Sequence, residues 1–117
     1  MQIQTYENLE STFRQFSGNH HEMDGRQFAK LAKDCEFLGQ DLTLTDVDLI
    51  FTRVKSRAAR KIYYEQFLEG LARIARKKKV YPSVIMATVE KVGGPKFVGT
   101  KVQTVSLNRT ISIASSI

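Results

Sequence analysis

The chain has 117 residues, of which 42% are hydrophobic and 26% are charged, values typical of a single folded domain. Its one cysteine, Cys35, excludes an internal disulfide and a zinc site built from cysteines alone. No apolar run approaches the roughly 20 residues of a transmembrane helix, and the polar N-terminus does not resemble a secretory signal peptide. We therefore expect a cytoplasmic protein without a membrane partner.

The formal net charge of +6 is unevenly distributed along the chain. Residues 1–49 carry four basic and nine acidic side chains, whereas residues 50–79 carry ten basic and two acidic ones. A chain with such a cationic middle attracts anionic partners.

Apolar residues recur at spacings of three and four in five segments, which predicts five helices. The first stripe runs from Tyr6 to Phe16. The second follows Asp24 and Gln27, which have the spacing of a capping box. The third is expected to begin at an N-cap on Thr45, with acids in its first turn.

The fourth predicted helix has Phe67 and Leu71 on its inner face and ends in a run of basic residues, 76–79. The fifth starts at Pro82 and stops at Gly93, because proline suits the first turn of a helix and glycine its end. From residue 95 onward no helical period remains, so we expect a flexible tail over 95–117.

The sequence contains an internal repeat, in which Met23 to Phe28 corresponds to Ile62 to Phe67. Met23 and Ile62 stand where paired EF-hands place the residues that link their loops. A pair of EF-hand-like helix-loop-helix units therefore accounts for both helix pairs. The predicted fold is all-α, with two degenerate EF-hand-like helix-loop-helix units and a fifth helix in a domain spanning residues 1–94.

Neither connection carries the ligands of an EF-hand calcium site, which needs oxygen atoms at loop positions 1, 3, 5 and 12. With Ile62 at position 8, these positions hold Lys55, Arg57, Ala59 and Gln66. The first connection offers Gly18, His20 and Gln27 and is no better. We therefore exclude calcium binding of the EF-hand type.

Zinc and catalysis receive little support from the sequence. His20 and His21 lie near Asp24 and Cys35, but adjacent histidines rarely both point inward, so exposed loop, helix-cap and core roles are the favoured interpretation. No nucleophile motif and no phosphate-binding loop are present. We expect no metal, no cofactor and no enzymatic activity.

The most informative feature is the concentration of basic residues around the second connection and at the end of the fourth helix. Cations stabilise a helix C-terminus, which accounts for residues 76–79 but not for those in the connection. We expect the whole set to bind an acidic surface: Arg53, Lys55, Arg57, Arg60, Lys61, Arg76, Lys77, Lys78 and Lys79. Nucleic acid is less favoured, because no aromatic–basic RNA signature, helix-turn-helix or zinc finger is present.

Four segments in order resemble the tubulin polymerization-promoting protein family. They are LAKDC at 31–35, LTLTDVDLIF at 42–51, RKI at 60–62 and EQF at 65–67. The resemblance implies an EF-hand-like core without EF-hand calcium chemistry, binding and bundling of microtubules, and association with cilia and flagella. It therefore implies tubulin as the partner and the cytoskeleton as the location.

The chain departs from the family at two places. Asp24 and Ala32 stand where zinc-binding members carry His and Cys, so only Cys35 matches that pattern. Long members also continue into a tail containing Gly and Arg, whereas this sequence ends in SLNRTISIASSI. We therefore leave open whether it bundles microtubules or only binds them.

The sequence is compatible with three functions: microtubule binding, an adaptor that uses an apolar groove between helices, and nucleic-acid binding. For the first, we expect Arg57, Arg60 and Lys61 to contribute more than the lysines at 77–79. The connection holds its cations between packed helices, whereas lysines that end a helix fray and act mainly on the encounter rate.

Overall fold

The computed structural model describes residues 8–96. Within them the chain forms α1 (Leu9–Phe16), β1 (Met23–Asp24), α2 (Gly25–Asp34), α3 (Leu44–Val54), β2 (Lys61–Ile62), α4 (Tyr64–Lys78) and α5 (Pro82–Val92). The predicted all-α class is confirmed. Tyr6 and residues 97–117, which make up most of the predicted tail, lie outside the described residues. No helix in the described part has the length and apolar character needed to cross a bilayer.

Two helices begin at reciprocal caps. In α2 the predicted box is confirmed: Gln27 N donates to Asp24 Oδ1 at 2.8 Å, and Asp24 N donates to Gln27 Oε1 at 2.9 Å. In α3 the predicted N-cap at Thr45 is wrong. The cap is Thr43, whose N donates to Asp46 Oδ2 at 2.9 Å and whose Oγ1 accepts from Asp46 N at 3.2 Å. Helix α3 therefore starts two residues earlier than predicted, because both of these backbone N–H groups find an acceptor there.

The two helix pairs are joined by a short antiparallel pairing between β1 and β2. Met23 is paired with Ile62, and both side chains are fully buried. The predicted link between these two residues is confirmed. That the two units are of the EF-hand type stays a prediction.

The core is centred on Phe67 of α4. Its ring centroid lies 4.9 Å from that of Phe13 in α1 and 6.4 Å from that of Phe28 in α2, the latter in an edge-on arrangement. Gly70 permits this packing, because a Cβ at that position would lie only 3.0 Å from Phe28 Cζ. Both helix pairs therefore share one core.

Helix α5 packs against α4 and α1 through Ile85 and Val89. After α5 the chain returns to α2, where Lys96 N donates to Oδ2 of the buried Asp34 at 2.8 Å. Lys30 Nζ donates to Lys96 O at 2.7 Å. The first residues of the predicted tail thus lie against α2, and the domain boundary after residue 94 stays a prediction.

Replacing Phe67 by alanine tests the shared core. We expect the free energy of unfolding to fall by about 3–5 kcal/mol, because the change removes a fully buried ring and leaves a cavity. Urea denaturation measures the loss. Leu49→Ala is the control, since Leu49 is 56% exposed and its truncation is expected to cost less than about 0.5 kcal/mol. Equal midpoints for the two variants would contradict this core.

Candidate functional site

The structure divides the basic residues into two surfaces. The connection surface comprises Lys55, Arg57, Arg60 and Lys61, between α3 and α4. The basic groove comprises Arg53, Arg73, Arg76, Lys77 and Lys79, between α3 and the C-terminal half of α4. Because α4 has 15 residues, which span about 22 Å at 1.5 Å per residue, the connection and the end of α4 lie far apart.

Three side chains of the connection surface point to solvent. Arg57, Arg60 and Lys61 are exposed, and none forms an ion pair with another residue of the described part of the chain. Lys55 behaves differently, since its Nζ donates to the backbone oxygens of Ser56 at 3.4 Å and Arg57 at 3.3 Å. Lys55 is therefore directed towards its own loop.

Gln66 closes this loop from the α4 side. Its Nε2 donates to Val54 O at 3.0 Å and to Ser56 Oγ at 3.3 Å, while its Oε1 accepts from Tyr63 N at 2.7 Å. Gln66 and Lys55 occupy the last and first positions of the aligned loop. The side-chain amide of Gln66 and the ammonium group of Lys55 thus form hydrogen bonds with backbone and hydroxyl groups of the connection itself.

The basic groove is an open cleft of about 580 Å³. Ile50 and Arg53 of α3 face Arg73 and Arg76 of α4 across it. The sequence prediction included Arg53 and residues 76–79 but missed Arg73. The spacing of 73, 76 and 77 places all three on one helix face, and this pattern could have identified Arg73.

Two acidic residues line the same groove but are already engaged. The carboxylate of Asp46 accepts a hydrogen bond from Thr43 N in the α3 cap, and its Oδ1 lies 3.9 Å from Lys77 Nζ. The pKa of Asp46 is lowered by its backbone and side-chain hydrogen bonds with Thr43, and further by Lys77. Asp41 pairs with Lys78 at 3.0 Å. Several groove cations are consequently left for an external anion.

Arg53, Arg76 and Lys79 are those cations. Each is exposed, and none pairs with an acid among residues 8–96. Arg73 is engaged on its own helix, where its Nη2 lies 3.0 Å from Glu69 Oε2. Within the groove, the attraction for an anionic partner is therefore centred on these three unpaired cations.

Lys78 is a structural link rather than a fraying lysine. Its Nζ donates to Phe37 O at 2.9 Å and to Asp41 Oδ1 at 3.0 Å, and its side chain is only 19% exposed. These contacts fasten the end of α4 to the segment between α2 and α3. The expectation that the lysines at 77–79 fray is wrong for Lys78.

The residues considered as zinc ligands differ in burial, since the histidines are exposed and the cysteine is buried. His20 and His21 are exposed, and His21 Nδ1 lies 3.1 Å from Arg14 Nη2. Cys35 is buried; its burial, assisted by the nearby Asp34, raises the pKa of its thiol to about 12. Among residues 8–96 no three His, Cys, Asp or Glu side chains are grouped so as to hold a metal ion.

Residues 10–111 match the sequence model of the p25-alpha family. The chain belongs to the p25-alpha family. The matched region contains both basic surfaces and the packing of Phe67 against Phe13 and Phe28. The resemblance seen in the four sequence segments is confirmed.

Several curated relatives of this chain are named for the promotion of tubulin polymerization. Tubulin polymerization-promoting protein family member 3 of Bos taurus is 43% identical over 77 residues, covering 60% of this chain and 44% of the relative. The human member 3 is 42% identical with the same coverage. Tubulin polymerization-promoting protein of Rattus norvegicus is 39% identical, with 35% of the relative covered. The matches thus span less than half the length of these relatives.

Removal of the Lys78 ammonium tests its structural role. Lys78→Met keeps most of the aliphatic stem but leaves Phe37 O without its donor, so we expect a loss of about 1–3 kcal/mol in the free energy of unfolding. The neighbouring Lys77→Met is the matched control, expected to cost less than about 1 kcal/mol because its ion pair is long and exposed. Chemical denaturation compares the two, and a larger loss for Lys77→Met would refute the assignment.

Cys35 makes stability depend on pH in the alkaline range. Its pKa in the folded protein, about 12, lies above the ordinary value of 9.0, so folding favours the neutral thiol. This contribution is complete below about pH 9 and is lost as the pH rises towards 12. We expect the stability difference between wild type and Cys35→Ala to shrink over that range in urea titrations. A constant difference would show that the thiol does not titrate as described.

Proposed function

We propose that this protein binds tubulin and microtubules and promotes their polymerization, as a non-enzymatic protein of the cytoplasmic cytoskeleton. Membership of the p25-alpha family carries the proposal, together with relatives that are named for promoting tubulin polymerization. Stabilisation or bundling of microtubules and a location in cilia or flagella belong to the same proposal, supported by the family resemblance.

The charge distribution supports an electrostatic mode of binding. The exposed tails of tubulin are acidic, and Arg57, Arg60 and Lys61 present three exposed cations close together in the chain. The connection that carries them is fixed at its base by Gln66 and by the pairing of Ile62. Little conformational entropy is then lost when these cations meet carboxylates.

Salt sensitivity distinguishes this mode from burial of apolar surface. Exposed charges interact over about 8 Å at physiological ionic strength, and higher salt shortens this range. Binding through the connection surface should therefore weaken as salt rises, and also when the acidic tails of tubulin are removed.

Neutralising the connection surface tests the proposal. We expect Arg57→Gln/Arg60→Gln/Lys61→Gln to weaken co-sedimentation with microtubules on the order of tenfold at low salt, and by less at high salt. Microtubules stripped of their acidic tails should bind wild type as weakly as intact microtubules bind this variant. A smaller loss is expected for neutralising Lys77, Lys78 and Lys79.

Arg26→Gln/Lys33→Gln/Lys91→Gln provides a matched control, because it removes the same charge from exposed positions on α2 and α5. It should bind nearly as wild type does. Thermal melts of all samples separate lost binding from lost folding. Wild-type binding by the folded connection variant would eliminate this surface, and absence of wild-type binding would eliminate the function.

A further inference from the structure

Exposed apolar residues stand close in the chain to residues that line the basic groove. Lys78 and Lys77 place the end of α4 beside the α2–α3 segment and the start of α3. Leu44, in the first turn of α3, is 52% exposed; Val80 and Tyr81, which follow Lys79 directly, are 38% and 79% exposed. We call these three residues the apolar rim.

We propose that the basic groove and its apolar rim bind an extended acidic peptide segment that carries a bulky apolar side chain. Arginine presents a planar fork of donors that suits a carboxylate. Arg53 and Arg76 reach the cleft from different helices and are free of ion pairs within residues 8–96. Lys79 adds a third cation on the side of the rim.

The shape and packing of the groove favour a defined site over diffuse attraction. The cleft has a volume of about 580 Å³ and is open to solvent, so an extended segment can lie along it. Its walls are two packed helices, and Lys78 fixes the end of one of them to the α2–α3 segment. The cations are therefore arranged before the partner arrives, which lowers the entropic cost of binding.

The acidic residues of the groove favour a peptide over a nucleic acid. Asp41 and Asp46 are paired with Lys78 and Lys77, so the groove is not uniformly positive, and the remaining lone pairs of their carboxylates can accept hydrogen bonds from peptide N–H groups. Nucleic-acid strands instead favour a uniformly positive groove with stacking aromatic residues. Among residues 8–96, no aromatic side chain lines the cleft itself. Val80 and Tyr81, which follow the groove residue Lys79 in the chain and are exposed, suit an apolar side chain of the peptide.

This inference does not rest on tubulin binding, because the groove could take an acidic segment of any protein partner. A fluorescein-labelled peptide with glutamates on both sides of a central phenylalanine is the probe. Fluorescence anisotropy with the full chain at physiological salt gives the Kd. We expect saturable binding that weakens at least about threefold when the phenylalanine is replaced by alanine.

Two variants of equal charge identify the site. Arg53→Gln/Arg76→Gln should weaken peptide binding at least about tenfold, because both carboxylate contacts are lost. Arg57→Gln/Arg60→Gln removes the same charge from the connection surface and should change the Kd by less than about threefold. Thermal melts confirm that both variants remain folded.

A rim variant completes the test. Tyr81→Ser should weaken binding of the phenylalanine peptide but leave the Kd of the alanine peptide unchanged. The alanine peptide already lacks the phenylalanine ring that Tyr81 would contact, so the variant removes nothing further from it. Equal weakening by the two arginine pairs, or tighter binding of a single-stranded oligonucleotide of the same charge, would overturn the proposal. Microtubule co-sedimentation of the groove variant is scored separately, so loss of the peptide alone leaves the proposed function standing.

Discussion

The packing of Phe67 against Phe13 and Phe28 is the contact on which the rest of the described structure depends. It brings α4 of the second helix pair against both helices of the first. With the core closed in this way, Met23 and Ile62 meet as a buried antiparallel pair. That pair in turn fixes the connection that carries one basic surface. A hydrophobic contact between two repeats thus positions cations that lie outside the core.

The length of α4 and the local ion pairs determine where positive charge lies on the surface. Helix α4 carries basic residues to the α2–α3 segment, where Lys78 and Asp41 satisfy one another. Asp46 is held by its helix cap and by Lys77. Acids of the first half therefore neutralise some of the cations in the second half. What remains is two groups of positive side chains, one in the connection and one in the groove, each with different neighbours.

Much of the fold followed from periodicity, because burial of one helix face selects apolar residues at spacings that can be recognised in the chain. The capping box at Asp24 and the link between Met23 and Ile62 were predictable for similar local reasons. The partner of a basic side chain cannot be predicted from periodicity. Whether Lys78 is solvated or donates to Phe37 O depends on a residue that is 41 positions away in the chain. The position of Lys96 against Asp34 likewise reflects a contact between distant parts of the chain.

Lys55 and Gln66 have a consequence for how the second connection responds to its surroundings. In an EF-hand the occupancy of the loop follows the concentration of a dissolved ion. Here the groups that satisfy the connection belong to the chain, and a covalently attached ammonium cannot be diluted away. The contacts of Lys55 and Gln66 are intramolecular, so their effective concentration is set by the chain and not by the surrounding solution.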